Sequence, residues 1–178
     1  MATSLNATQQ SAIAWFMSMI KGLKGSAGLR KRVGADFFDP SKDIAVGQFF
    51  IFEYDAKFKD ELPYWDKYPF SLIIDADSNG FLGLNFHYLP PRLRKAVLDK
   101  LIKYKKKAGS PRAYLKVAYP MLKALLQAKM LQPMIHRYLY TQVRSNFIIV
   151  HEGAWENAAM LPVQRFQGAT SSQVWSKS

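Results

Sequence analysis

Cysteine is absent from all 178 residues, which excludes disulfides, thiolate metal sites and thiol nucleophiles and fits a reducing compartment. Histidine is scarce. His87, His136 and His151 stand far apart in the chain, with neither an HExxH run nor another zinc-spaced pair. No P-loop, GxGxxG or G-x-S-x-G run occurs, and Gly80-x-x-Gly83 reads as a turn followed by a bulge or close approach within a strand. Long apolar runs are missing too: none approaches the ~20 residues of a membrane span. The start has no basic n-region and no small-residue cleavage site, so it does not read as a signal peptide. The expectation is a soluble, non-enzymatic chain without metal or cofactor, working inside a cell or in a particle assembled there.

Acid is in short supply as well, with 13 Asp plus Glu against 25 Lys plus Arg, a formal charge of +12. Such a balance points to an anionic partner, but its distribution carries more weight than its sum. Residues 92–116 hold ten basic side chains against the single acid Asp99, whereas residues 36–77 hold ten acids against four lysines. The chain is electrically polarised along its length.

What is present organises into an arm and one domain. Between Thr8 and Lys24, Ile13, Phe16, Met17, Ile20 and Leu23 recur at helical spacing, and Trp15 and Met19 widen that apolar face. The following "GLKGSAGLRKRVG" reads as a flexible basic linker in which Arg30, Lys31 and Arg32 are candidate phosphate contacts. Residues 1–34 thus form a helical arm and linker ahead of a single α+β domain over 35–178. From Val46 the chain turns to short aromatic and β-branched runs, "GQFFIFEYDA", "YPFSLIID" and "GFLGLNFHYL", with a fourth at "SNFIIVHE" over about 146–151. Asn79-Gly80 predicts a tight antiparallel hairpin with positive φ at its centre. The expected product is a small antiparallel sheet over about 46–89, or an SH3-like barrel.

Pro90-Pro91 close the third strand and suit the first turn of a helix. Downstream, Leu93, Val97, Leu98, Leu101 and Ile102 form one helical face, while Arg92, Lys95, Lys100, Lys103, Lys106 and Lys107 form the other. Ser110-Pro111 restarts a helical pattern that continues, with breaks at Pro120 and Pro133, to about residue 143, making the C-terminal half basic and helical. Past Glu156 the pattern fades, and a loose tail is expected unless Phe166 and Trp175 anchor it.

Carboxylates are the one catalytic material in supply. Asp55, Asp60, Glu61, Asp66, Asp75 and Asp77 are candidate Mg²⁺ ligands for a nuclease, but their spacing fits no template, and acids between strands are commonly solvated turn formers. Should the acidic "ELPYWDKYP" loop meet the basic helix, Asp60, Glu61 and Asp66 would screen it. Asn85 and His87 share a strand face, where a satisfied structural pair is the commoner role and a polar site the sharper one. The basic helix is the strongest signal, because each lysine that neutralises a phosphate releases a counterion. Arg92, Lys95, Lys100, Lys103, Lys106, Lys107 and Arg112 are the candidate nucleic-acid contacts, and lysine's predominance favours phosphate contact over base reading. Tyr88, Tyr104, Tyr114 and Tyr119 interleave with this charge, either as core residues or as platforms for unpaired bases.

Gly47, Phe50, Tyr54, "LPYWDKYP", "GFLGLNFHYLPP" and the closing "LPVQRF…VW" carry a resemblance to virion and DNA-associated proteins of large T-even-like tailed phages, best over residues ~46–94. The resemblance implies a place in the virion, and in the host cytoplasm during assembly. Within that group a cap on packaged DNA ends agrees best with a basic, cysteine-free chain, and a baseplate, neck or head component is the rival. The combined expectation is sequence-nonspecific DNA binding in a phage particle; the alternatives are a structural virion protein docking an acidic partner, and third a metal-dependent nuclease.

Overall fold

A computed structural model of the chain describes residues 38–41, 44–108, 127 and 129–177. The expected helix over 8–24, the linker with Arg30, Lys31 and Arg32, and the stretch holding Arg112, Tyr114 and Tyr119 lie outside the described residues. Described strands are β1 (Phe38–Ser41), β2 (Phe49–Ile51), β3 (Trp65–Asp66), β4 (Phe70–Ala76), β5 (Gly80–Asn85), β6 (Ile135–Leu139), β7 (Phe147–Val150) and β8 (Phe166–Gln167). The described α-helices are α1 (Pro91–Ala108), α2 (Trp155–Met160) and α3 (Ser171–Trp175). Six strands form an antiparallel sheet in the order β1-β7-β2-β4-β5-β6, and β3 pairs with β8 apart from it.

Strand alternation divides the apolar residues between two cores. Phe49 and Ile51 face one side with Phe70, Leu72, Leu84, Ile148 and Val150, where Val97, Leu98 and Leu101 of α1 and Trp155 of α2 close over them. Each such aliphatic side chain gains roughly 1.5–3 kcal/mol from burial. Phe50 and Phe52 face the other side and join Ile73, Phe81, Tyr138 and Phe147. Phe81 and Phe147 belong to strands three positions apart, which a flat sheet spaces by ~14 Å, yet their ring centroids lie 5.7 Å apart. The sheet is therefore coiled around this aromatic cluster. It is not a closed barrel: β1 and β6 are its edges, and one isolated bridge, Tyr54 to Val143, links the chain beyond β2 to the chain beyond β6.

Three expectations are corrected. The β4–β5 hairpin is present, but Asn79 and Gly80 do not have positive φ. Asp77 shapes the turn instead, its Oδ1 accepting from the Asn79 and Gly80 amides at 2.8 and 3.0 Å. Gly80 is required for a different reason, since a Cβ there would stand 2.0 Å from the Tyr138 carbonyl oxygen of β6. Gly80→Ala is expected to cost about 1–3 kcal/mol by forcing β6 away, read as a lower urea midpoint. The helical pattern does not reach residue 143, because the 3₁₀ helix Lys129–Met134, which contains Pro133, gives way to Ile135–Leu139, and that strand pairs with β5. Nor is the tail loose: β8 pairs with β3, Thr170 and Gln173 form a capping box on α3, and the Trp175 indole donates to the His87 carbonyl at 2.8 Å.

Candidate nucleic-acid interface

Pro91 begins α1, and the amides of Leu93 and Arg94 bond the Pro90 carbonyl, so the strand-to-helix turn has the form the two prolines favour. Val97, Leu98 and Leu101 are buried in the first core. Arg92, Lys95, Lys100, Lys103, Lys106 and Lys107 are all exposed, as the wheel required.

Their electrostatic states differ. Lys95 lies 3.1 Å from Asp99 and 3.8 Å from Glu156 of α2, and its pKa is raised by the bond and charge of Asp99 and then by Glu156. Lys105, left off the basic face by the wheel, sits 4.5 Å over the Trp155 ring and 2.9 Å from Glu152. Among the described residues no carboxylate pairs with Arg92, Lys100, Lys103, Lys106 or Lys107. Lys100, Lys103 and Lys107 line, with Tyr104, a half-open cavity of about 290 Å³. Tyr104 is half-buried, with part of its side chain against the first core.

Of the acids expected to screen the helix, none is paired with a described lysine of α1. Asp60 and Glu61 are exposed, whereas Asp66 is only 3% exposed. The carboxylates paired with α1 across the fold come from Glu152 and Glu156. Asp55 pairs with Lys59 and Arg144, and Asp77 with Arg137. Among the described residues no group of three or more His, Cys, Asp or Glu side chains could hold a metal ion.

Beneath α1 lies a buried polar cluster. Asp66 Oδ2 accepts from His87 Nδ1 at 2.8 Å and from Asn85 Nδ2 at 3.1 Å, while its Oδ1 accepts from the amides of Tyr68 and Arg165. Burial alone would raise the Asp66 pKa; the hydrogen bonds it accepts from His87, Asn85 and the Arg165 amide outweigh it and hold the carboxyl below its usual range. Burial holds His87 below its ordinary value, so the neutral ring donates from Nδ1 to an ionised Asp66. Asn85 and His87 therefore serve a structural network.

Arg94, which the charge count treated as one more surface cation, is 1% exposed. Its Nε donates to the Leu89 carbonyl at 2.7 Å, Nη1 to Ala159 at 3.1 Å and Gln164 at 3.3 Å, and Nη2 to His87 at 3.1 Å; the Trp175 ring lies 5.2 Å from Cζ. Burial lowers its pKa to about 10, so it stays charged at neutral pH and offsets Asp66. With 3.6 residues per turn, Lys103 stands about 180° around α1 from Arg94. Arg94 thereby sets the helix's rotation and turns the lysine stripe to solvent. Its spacing to Leu98 and Leu101, i, i+4 and i+7, was the sequence signal that it faces inward; nothing comparable marked Asp66.

Searches of curated proteins and of solved structures return no match. A family model does match, over residues 2–178, and it is that of the phage T4 terminal DNA protecting protein. A chain with this basic helix thus belongs to the family of the phage T4 terminal DNA protecting protein.

Proposed function

We propose that the protein binds DNA ends through the exposed face of α1, without catalysis and without reading sequence, in the phage particle or the infected cell. The observation that carries this reading is the stripe of Lys100, Lys103, Lys106 and Lys107, with which no described carboxylate pairs. Lysine ammonium groups meet phosphates as point charges and release counterions without selecting a base. Family membership supports DNA ends as the target.

The test is a salt titration with linear and circular duplexes of the same sequence. Linear DNA should bind more tightly, and log Kd should depend steeply on log salt, by about 0.9 per phosphate engaged. Changing Lys100, Lys103 and Lys107 together to Glu should make that dependence shallower by about three. Equal affinity for circles sinks the end reading, and no binding at low salt sinks DNA binding altogether.

One observation favours a second reading. Lys95 and Lys105 already pair with the carboxylates of Glu156 and Glu152, so lysines along α1 suit an acidic virion protein. A complex of fixed stoichiometry with a purified head or neck component, undisturbed by DNA, would favour it.

A further inference from the structure

The geometry points to a subsite for one unpaired nucleotide at a DNA strand end, its base against Tyr104 and its phosphate on Lys100, Lys103 and Lys107. The inference rests on the DNA-end reading and adds to it what on this surface distinguishes an end from the middle of a duplex. Positions 100, 103, 104 and 107 follow the i, i+3, i+4, i+7 rule, so their side chains are neighbours on one stripe. The cavity they line, about 290 Å³, lies at the small end of ligand pockets. It has room for one nucleotide and not for a duplex.

The composition of its walls agrees with that occupant. Among the described residues its lining is a tyrosine ring and three lysines, whose stems are apolar and whose charged heads favour water. An inorganic anion would use only the heads. A nucleotide uses both, its base stacking on the ring and its phosphate meeting the ammonium groups. Because Tyr104 also rests on the first core, its ring is held in place before any ligand arrives. Compensation of the helix dipole accounts for lysines in the last turn, but that effect fades within one turn and does not reach Lys100. A base within a duplex must be unstacked and unpaired at a cost before it enters such a pocket, whereas an overhanging or frayed end presents one free.

The experiment uses the full chain and three DNAs of one sequence: a duplex with a single-nucleotide 2-aminopurine overhang, the same duplex with 2-aminopurine at an internal paired position, and a dumbbell closed by hairpins at both ends. Binding should quench the terminal probe and leave the internal one unchanged, and the overhang duplex should bind about tenfold more tightly than the dumbbell. Tyr104→Leu should abolish both the quenching and the preference, and Tyr104→Phe should retain both. Lys103→Gln, at an exposed position, decides the matter should the leucine variant fail to fold: it should weaken overhang binding more than dumbbell binding. Equal affinity for overhang and dumbbell overturns the end reading and the subsite with it, whereas terminal quenching that survives Tyr104→Leu overturns the subsite alone and leaves end binding standing. Absence of binding to all three DNAs overturns both.

Discussion

Arg94→Met is expected to destabilise the protein by about 3–5 kcal/mol, the range for breaking a buried charge network from one side. Methionine keeps much of the volume but none of the donors. The carbonyls of Leu89, Ala159 and His87 would each lose a buried donor, although His87 keeps the Trp175 indole, and the Asp66 carboxylate would lose its compensating charge. The neighbouring Arg92→Met, at an exposed position, should change stability by no more than about 0.5 kcal/mol. Urea unfolding of the two variants supplies the comparison. Hydrogen exchange adds a local readout, since Arg94 ties α1 to Gln164 and Trp175: amides over residues 161–175 should lose protection first. If Arg94→Met and Arg92→Met unfold at similar urea concentrations, the buried guanidinium does not hold the C-terminal segment as described.

Acidification should weaken the fold well before ordinary carboxylates titrate. His136 packs 4.1 Å from the Tyr88 ring and donates from Nε2 to the Pro133 carbonyl. Burial lowers its pKa to about 4, with the Pro133 bond and Asp66 opposing. An unfolded histidine titrates near 6.5, so between these values the unfolded chain binds the extra proton and the folded one does not. Stability is therefore greatest above about pH 6.5 and declines as pH falls toward 4, by up to about 3 kcal/mol for this group. His87, also held neutral by burial, acts in the same direction. The depressed carboxyl of Asp66 adds its own loss only once pH falls below the ordinary carboxylate range. Urea midpoints measured across pH 4–7 should show this slope, and His136→Gln should flatten it. A midpoint constant between pH 6.5 and 4.5 would contradict histidines held neutral by the fold.

Much of the exposed basic face was legible in the sequence, because amphipathic periodicity is a local property. Val97, Leu98 and Leu101 had to face a core if the helix formed, and Arg92, Lys95, Lys100, Lys103, Lys106 and Lys107 then had to face solvent. The strands at Phe49, Phe70, Gly80 and Phe147 were legible for the same reason. The strand β6 was read as helix: its alternation of Ile135, Arg137 and Leu139 with His136 and Tyr138 is short, and it follows a long helical pattern closely enough to be absorbed by it. The pairing of β3 with β8 joins residues about a hundred positions apart through two-residue strands, too short to leave a periodic signal.

Charge was the level at which local reading failed. Composition determined that the chain carries a concentrated excess of lysine, and helical periodicity determined which lysines share a face. Only the tertiary structure decided which charges remain available to a partner, because pairing and burial depend on what the rest of the chain brings alongside. Arg94 and Asp66 left the surface count, Lys95 and Lys105 met carboxylates from α2 and the turn before it, and Lys100, Lys103 and Lys107 stayed open around Tyr104. A side chain's type and spacing are written along the chain, but its solvation and its counter-charge are set by residues distant in sequence, and those two quantities determine where a polyanion can bind.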